Sequence, residues 1–138
     1  AELRFGLEDF GAKVCYPGLD GHPDHGLLDE LRCPDYGYGG VMTVDMGTEA
    51  AANALMSKLQ NKYGFGFMAV SLGYFDTLMS CSASSTSSEL PAEDQDSAGI
   101  SPGLVRVSIG YTGTLEQRWS QLDTALRKVG LVPAAAVA

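Results

Sequence analysis

One charged side chain interrupts the apolar run "LVRVSIG": the guanidinium of Arg106. In a strand otherwise apolar on both faces such a charge is costly to bury unless an anion meets it. Two kinds of answer satisfy that demand. One is structural, an internal ion pair with one of the seventeen acidic residues or an edge position in solvent; the other is a bidentate grip on a substrate carboxylate. A second stretch with chemical capacity is "SLGYFDTLMSCSASSTSSEL", Ser71 to Leu90, which sets hydroxyl after hydroxyl directly behind an apolar run. It reads either as a flexible linker or as a loop that hands hydrogen-bond donors to a ligand.

Three other constellations carry weaker signals. "HPDH" spaces His22 and His25 by three residues around Asp24, which would set two imidazoles on one helical face for a metal. No cysteine or carboxylate pair completes a ligand set, so capping and surface hydrogen bonding are the preferred reading and no metal site is expected. "DYGYGG", Asp35 to Gly40, lacks the Gly-x-Gly-x-x-Gly spacing of a phosphate cradle between strand and helix, and reads as a turn. Cys81 has no histidine or strongly basic neighbour in sequence to activate its thiol, so it reads as structural.

The elements that must position these groups belong to one domain. A chain of 138 residues, 45% hydrophobic and 19% charged, can bury one real core and is too apolar for disorder. Seventeen acidic against nine basic residues give a formal charge of -8, which repels phosphate backbones and anionic membrane surfaces, so neither nucleic acid nor membrane is expected as a partner. No apolar run is long enough to span a bilayer, and the start, with Glu2 and Arg4 ahead of Gly6, lacks a signal-peptide core. Cys15, Cys33 and Cys81 are odd in number and widely spaced, which predicts reduced thiols in a cytoplasmic protein.

Residues 1–13 read as the end of a truncated helix, with Leu3, Leu7 and Phe10 in register, and 131–138 as a frayed tail. Between them the pattern predicts strands at Val14–Tyr16, Val41–Met46, Phe65–Val70 and Leu104–Ile109. Helices are predicted over His22–Arg32, from a Thr48 cap through Gln60, and as a short acidic turn opened by Pro91 and closed by Gly99. The clearest runs from Thr114 to Val129, where Leu115, Trp119, Leu122, Leu126 and Val129 form one stripe, Thr114 and Gln117 a capping box, and Gly130 the stop. One sheet with helices packed on it, a two-layer α and β sandwich, follows.

Several segments also carry a resemblance. "VCYPGLDGHPDHGLL", "AVSLGYFDTLMSCSASSTSSEL" and "AGISPGLVRVSIGYTGTLEQRWSQLDTAL" resemble, in order and spacing, segments of the Cys/Met-metabolism pyridoxal-phosphate enzymes, the group of cystathionine γ-synthase, cystathionine γ-lyase and methionine γ-lyase. Within the group "DYGYGGVMTVDM" and "FGFMAVSLGY" look most like the plant-type methionine γ-lyases. The resemblance implies that residues 1–138 form the smaller C-terminal domain of a fold-type-I enzyme. That fold is α+β, a mostly antiparallel four- to five-stranded sheet with helices on one side.

Carried over by position, Arg106 matches the arginine that binds the substrate α-carboxylate in this family, and Ser71 matches the serine of its "VSLG" motif in the same pocket. Thr86 falls where relatives have the threonine of a serine-methionine-threonine-histidine segment, although here Ser85 and Ser87 stand in for methionine and histidine. Asp76 stands where many relatives have a glutamate facing the substrate side chain, and Tyr74 replaces a glycine. The hydroxyl-rich run is then a pocket-edge loop placed by the Phe65–Val70 strand. The implied cofactor is pyridoxal phosphate, held as a Schiff base by a lysine of a large domain absent from these residues; Lys13, Lys58, Lys62 and Lys128 lie in other contexts. The implied enzyme is a homotetrameric carbon–sulfur lyase that turns L-methionine into methanethiol, 2-oxobutanoate and ammonia, and this chain alone should hold no catalytic residue. The competing readings are a transsulfuration enzyme of the cystathionine γ-synthase or γ-lyase type, and a free-standing domain that binds a small molecule without catalysis.

Overall fold

A computed structural model describes residues 13–129. Its elements run β1 (Lys13–Cys15), α1 (His25–Leu31), β2 (Val41–Asp45), α2 (Glu49–Asn61), β3 (Phe67–Met68), β4 (Leu78–Cys81), α3 (Ala92–Ser97), β5 (Leu104–Ser108) and α4 (Leu115–Lys128). The strands form one five-stranded sheet in the order β1-β2-β5-β4-β3. Antiparallel pairing joins β1 to β2, β2 to β5 and β5 to β4, and the two-residue β3 adds itself in parallel to β4. The α+β sandwich read from the sequence is the fold observed.

Side chains alternate across each strand, so pairing register sorts residues between the two faces. Met42, Val44, Met79, Cys81, Val105 and Val107 point to the face covered by α2 and α4. There they meet Ala52, Leu55, Met56 and Leu59 of α2 and Leu122, Ala125 and Leu126 of α4, with Phe65 closing one end. Burial of each large apolar side chain contributes about 1.5–3 kcal/mol, which makes this face the main source of cohesion.

Local signals set the two long helices. The Thr48 hydroxyl accepts from the Ala51 amide and the Thr114 hydroxyl from the Gln117 amide, so both caps work as their spacing predicts. Of the predicted stripe on α4, Leu122 and Leu126 are buried and Trp119 and Val129 pack beside them, whereas Leu115, in the first turn, is exposed. The first helix starts at His25 rather than His22, after a run of turns that includes a His25 amide bond to the His22 carbonyl. The expected helix over residues 1–13 and the expected tail lie outside the described residues, except that Lys13 belongs to β1.

Two corrections concern the sheet edge. The expected Phe65–Val70 strand shrinks to Phe67–Met68, because Phe65 turns into the core and Gly66 packs against the backbone of Thr77, where a Cβ would come within 2.3 Å of the Thr77 carbonyl oxygen. The Ser71–Leu90 stretch, read as loop throughout, contains β4, which is buried along its whole length beside the central strand. Neither a linker nor a single loop describes it.

Candidate functional site

The face of the sheet away from α2 and α4 carries the polar side chains. Register aligns Cys15, Thr43, Arg106 and Ser80 in one row across β1, β2, β5 and β4. The next row holds Val41, Ser108, Leu78 and Phe67. Arg106 is therefore not on a strand that is apolar on both faces; it stands half-buried on the open one. Among the described residues it forms no ion pair. Its Nη2 donates to the Ser71 carbonyl oxygen at 3.2 Å.

The segment that follows β3 folds across this face. The Gly73 amide donates to the Ser108 hydroxyl at 3.4 Å, and Ser71 lines an open cavity of about 330 Å³ with Phe67, Ala69, Tyr74 and Leu78. Ser71 and Arg106 are thus brought together, through the serine backbone, and the Ser71 side chain is exposed. Thr86 stands exposed in the turns after β4 and hydrogen-bonds to neither residue. These turns are ordered: Ser85 and Ser87 amides donate to the Ser82 carbonyl, and Gln95 of α3 donates to the carbonyls of Ser87 and Leu90.

Asp76, expected to face a substrate side chain, is engaged within the domain instead. Its Oδ1 accepts from the Thr77 amide at 2.8 Å, from the Thr112 hydroxyl at 2.8 Å and from Arg118 Nη2 at 2.7 Å. Arg118 also donates to the carbonyls of Gly64, Phe65 and Thr112, so one guanidinium ties α4 to both ends of the β3 segment. Burial pushes the Asp76 carboxyl upward, but the Thr112 and Thr77 bonds and the positive charge of Arg118 together hold it below the usual carboxylate range. Gly110 lets this corner close, since a Cβ there would lie 2.4 Å from the Asp76 carbonyl carbon. Sequence reading missed Arg118, because 42 residues separate it from Asp76 and no local pattern links them.

The weaker candidates have structural roles. His22 Nδ1 accepts from the Asp24 amide, while His25 stacks on Tyr38 and its Nδ1 meets the Pro17 carbonyl oxygen. Tyr38, in the "DYGYGG" turn, donates to Asp29 of α1, and Arg32 lies over its ring. Cys81 is buried with its thiol against the Pro102 carbonyl oxygen, whereas Cys15 and Cys33 are exposed and free. Among the described residues no group of His, Cys, Asp and Glu is placed to hold a metal, and no helix is long and apolar enough to cross a membrane.

The chain is thus a two-layer α+β domain with its helices packed on one sheet face, and with one half-buried arginine and an overlying serine loop on the other. Residues 9–126 match the family model of the Cys/Met metabolism PLP-dependent enzymes, and the chain belongs to that family. It is 58% identical over 123 residues to methionine gamma-lyase of Arabidopsis thaliana, covering 89% of this chain and 28% of that protein. The crystal structure of cystathionine gamma-lyase from yeast superposes with a TM-score of 0.80 at 25% identity, covering 94% of this chain and 32% of that one. Cystathionine gamma synthase from Xanthomonas oryzae pv. oryzae, solved in complex with cystathionine, gives 0.72 at 31% identity, covering 92% of this chain and 34% of that one. The chain thus spans about a third of the length of these relatives.

The described residues do not fit the family's cofactor. Lys58, Lys62 and Lys128 lie on or at the end of α2 and α4, in the helical layer, and Lys13 is exposed on the edge strand β1. No lysine stands in the row of Arg106 that could hold an aldehyde there.

Proposed function

We propose that this chain is the C-terminal, substrate-binding domain of a pyridoxal-phosphate-dependent carbon–sulfur lyase that converts L-methionine to methanethiol, 2-oxobutanoate and ammonia. The observation that carries the reading is Arg106: a half-buried guanidinium with one hydrogen bond, to the Ser71 carbonyl, and no ion pair among the described residues. Five fixed N–H donors with one engaged leave a fork open to a planar carboxylate. Arg106 and Ser71 grip the α-carboxylate, with Thr86 contributing from the rim; Asp76 acts indirectly, by holding the turn that ends the Ser71 segment. This grip fixes the Cα–H bond in the orientation the reaction needs, which is a positioning contribution rather than proton transfer. Pyridoxal phosphate, anchored by a large domain beyond these residues, supplies the electron sink when bound. The reading carries with it a cytoplasmic homotetramer with active sites near subunit boundaries.

Similarity to methionine gamma-lyase of Arabidopsis thaliana supports methionine over cystathionine as substrate, and comparing kcat/KM for the two decides between a γ-lyase and a transsulfuration enzyme. The first measurement is the coding sequence upstream of Ala1. A continuous frame carrying a serine-x-threonine-lysine segment supports the enzyme; a start codon just before Ala1 supports a free-standing binding domain. In the complete enzyme Arg106→Ala should lower kcat/KM for methionine by roughly 2 to 4 kcal/mol, mainly through KM, as for loss of a charge-assisted pair. An unaltered KM refutes the carboxylate role.

A further inference from the structure

Ser80 is buried, and its hydroxyl oxygen is the one buried side-chain polar atom among the described residues without a hydrogen-bond partner. Its neighbours do better: the Thr77 hydroxyl accepts from the Gly110 amide and the Ser108 hydroxyl from the Gly73 amide. A buried hydroxyl left unpaired is destabilising, so its retention calls for a partner that arrives in another state of the protein. Register supplies one. Ser80 on β4 stands directly opposite Arg106 on β5, with both side chains on the open face. Cross-strand pairs of this kind hold their Cβ atoms about 5 Å apart, within reach of a long guanidinium.

We propose that Ser80 is a positioning residue for Arg106: its hydroxyl accepts a guanidinium N–H when a substrate carboxylate draws Arg106 away from the Ser71 carbonyl. The inference rests on the carboxylate-binding reading of Arg106. A carboxylate bound to one edge of the fork leaves N–H groups on the other edges, and a fixed acceptor beneath them holds the plane of the fork. Among the described residues that acceptor position on Ser80 is unoccupied by any other protein group.

The test compares Ser80→Ala, Ser80→Thr and Arg106→Ala with the parent in the holoenzyme that carries this chain. Ser80→Ala should raise KM for methionine about five- to tenfold, the equivalent of one net hydrogen bond, with kcat within about twofold. Its Tm without substrate should equal or exceed the parent's, because the unpaired hydroxyl is gone. Ser80→Thr should restore most of the lost affinity. Inhibition by 3-methylthiopropylamine, which lacks the carboxylate, should be the same in Ser80→Ala and parent. A raised KM in Arg106→Ala with an unchanged KM in Ser80→Ala overturns the inference and leaves the carboxylate reading standing. An unchanged KM in Arg106→Ala removes that reading, and the inference falls with it. A lowered Tm with weaker inhibition by the amine shows a merely structural serine and also overturns it.

Discussion

Two arginines bracket the segment that crosses the open face, and they differ in almost every respect. Arg118 reaches from α4 to three backbone carbonyls, one threonine hydroxyl and the Asp76 carboxylate, and its side chain is only 12% exposed. Arg106 makes one hydrogen bond, to the Ser71 carbonyl, with no carboxylate among the described residues beside it. Saturation marks a group whose work is cohesion, since a buried cation is tolerated when its donors are met. Under the proposed reading, the spare donors of Arg106 are the ones a substrate carboxylate would engage.

The largest effects should separate the two. Arg118→Met strips Asp76 of its cation and leaves three carbonyls to find other donors, so unfolding free energy in urea should fall by roughly 2 to 4 kcal/mol. Arg106→Ala should change that stability by no more than about 0.5 kcal/mol, because it removes a single bond on an open face, while abolishing most carboxylate affinity in the complete enzyme. Equal loss of stability in both variants would erase the distinction.

Acid should act on the same corner. Asp76 is held below the usual carboxylate range in the folded state, so its contribution is fully present above the unfolded value of about 3.9 and is lost as pH falls through the lower folded value. Asp76→Asn cannot ionise, and its unfolding free energy should therefore fall less than the parent's between about pH 5 and about pH 2. Parallel pH profiles for the two proteins would place the ion pair outside the folding balance.

What was legible in the sequence follows the range of each interaction. Thr48 and Thr114 announce their helices because a cap bonds three residues ahead, and the chain records that spacing locally. Strand β4 was hidden: Leu78-Met79-Ser80-Cys81 lies in a hydroxyl-rich run, and the Thr77 hydroxyl just ahead of it is met by the distant Gly110 amide rather than by solvent. Arg106 was visible as a lone charge, yet the face it occupies depends on pairing with Thr43 and Ser80, which no periodicity reports. Asp76 shows the same limit from the other direction. Its position in the segment matches a substrate-facing residue, but a partner 42 residues away takes up its Oδ1.

The smallest effects should sharpen the comparison between cohesion and binding at the level of two threonines. Thr114→Ala removes a helix cap, and unfolding free energy should fall by about 1 kcal/mol with no change in KM. Thr86→Val removes an exposed hydroxyl that bonds to nothing among the described residues, so stability should move by less than about 0.5 kcal/mol. If Thr86 contributes from the rim to a carboxylate that Arg106 holds, the same change should raise KM for methionine by about two- to fivefold, the share of one neutral hydrogen bond. Measured in an Arg106→Ala background, that increment should vanish, since two groups on one ligand lose their effect together. A Thr86→Val penalty that persists without Arg106 would assign the threonine to some other part of the substrate.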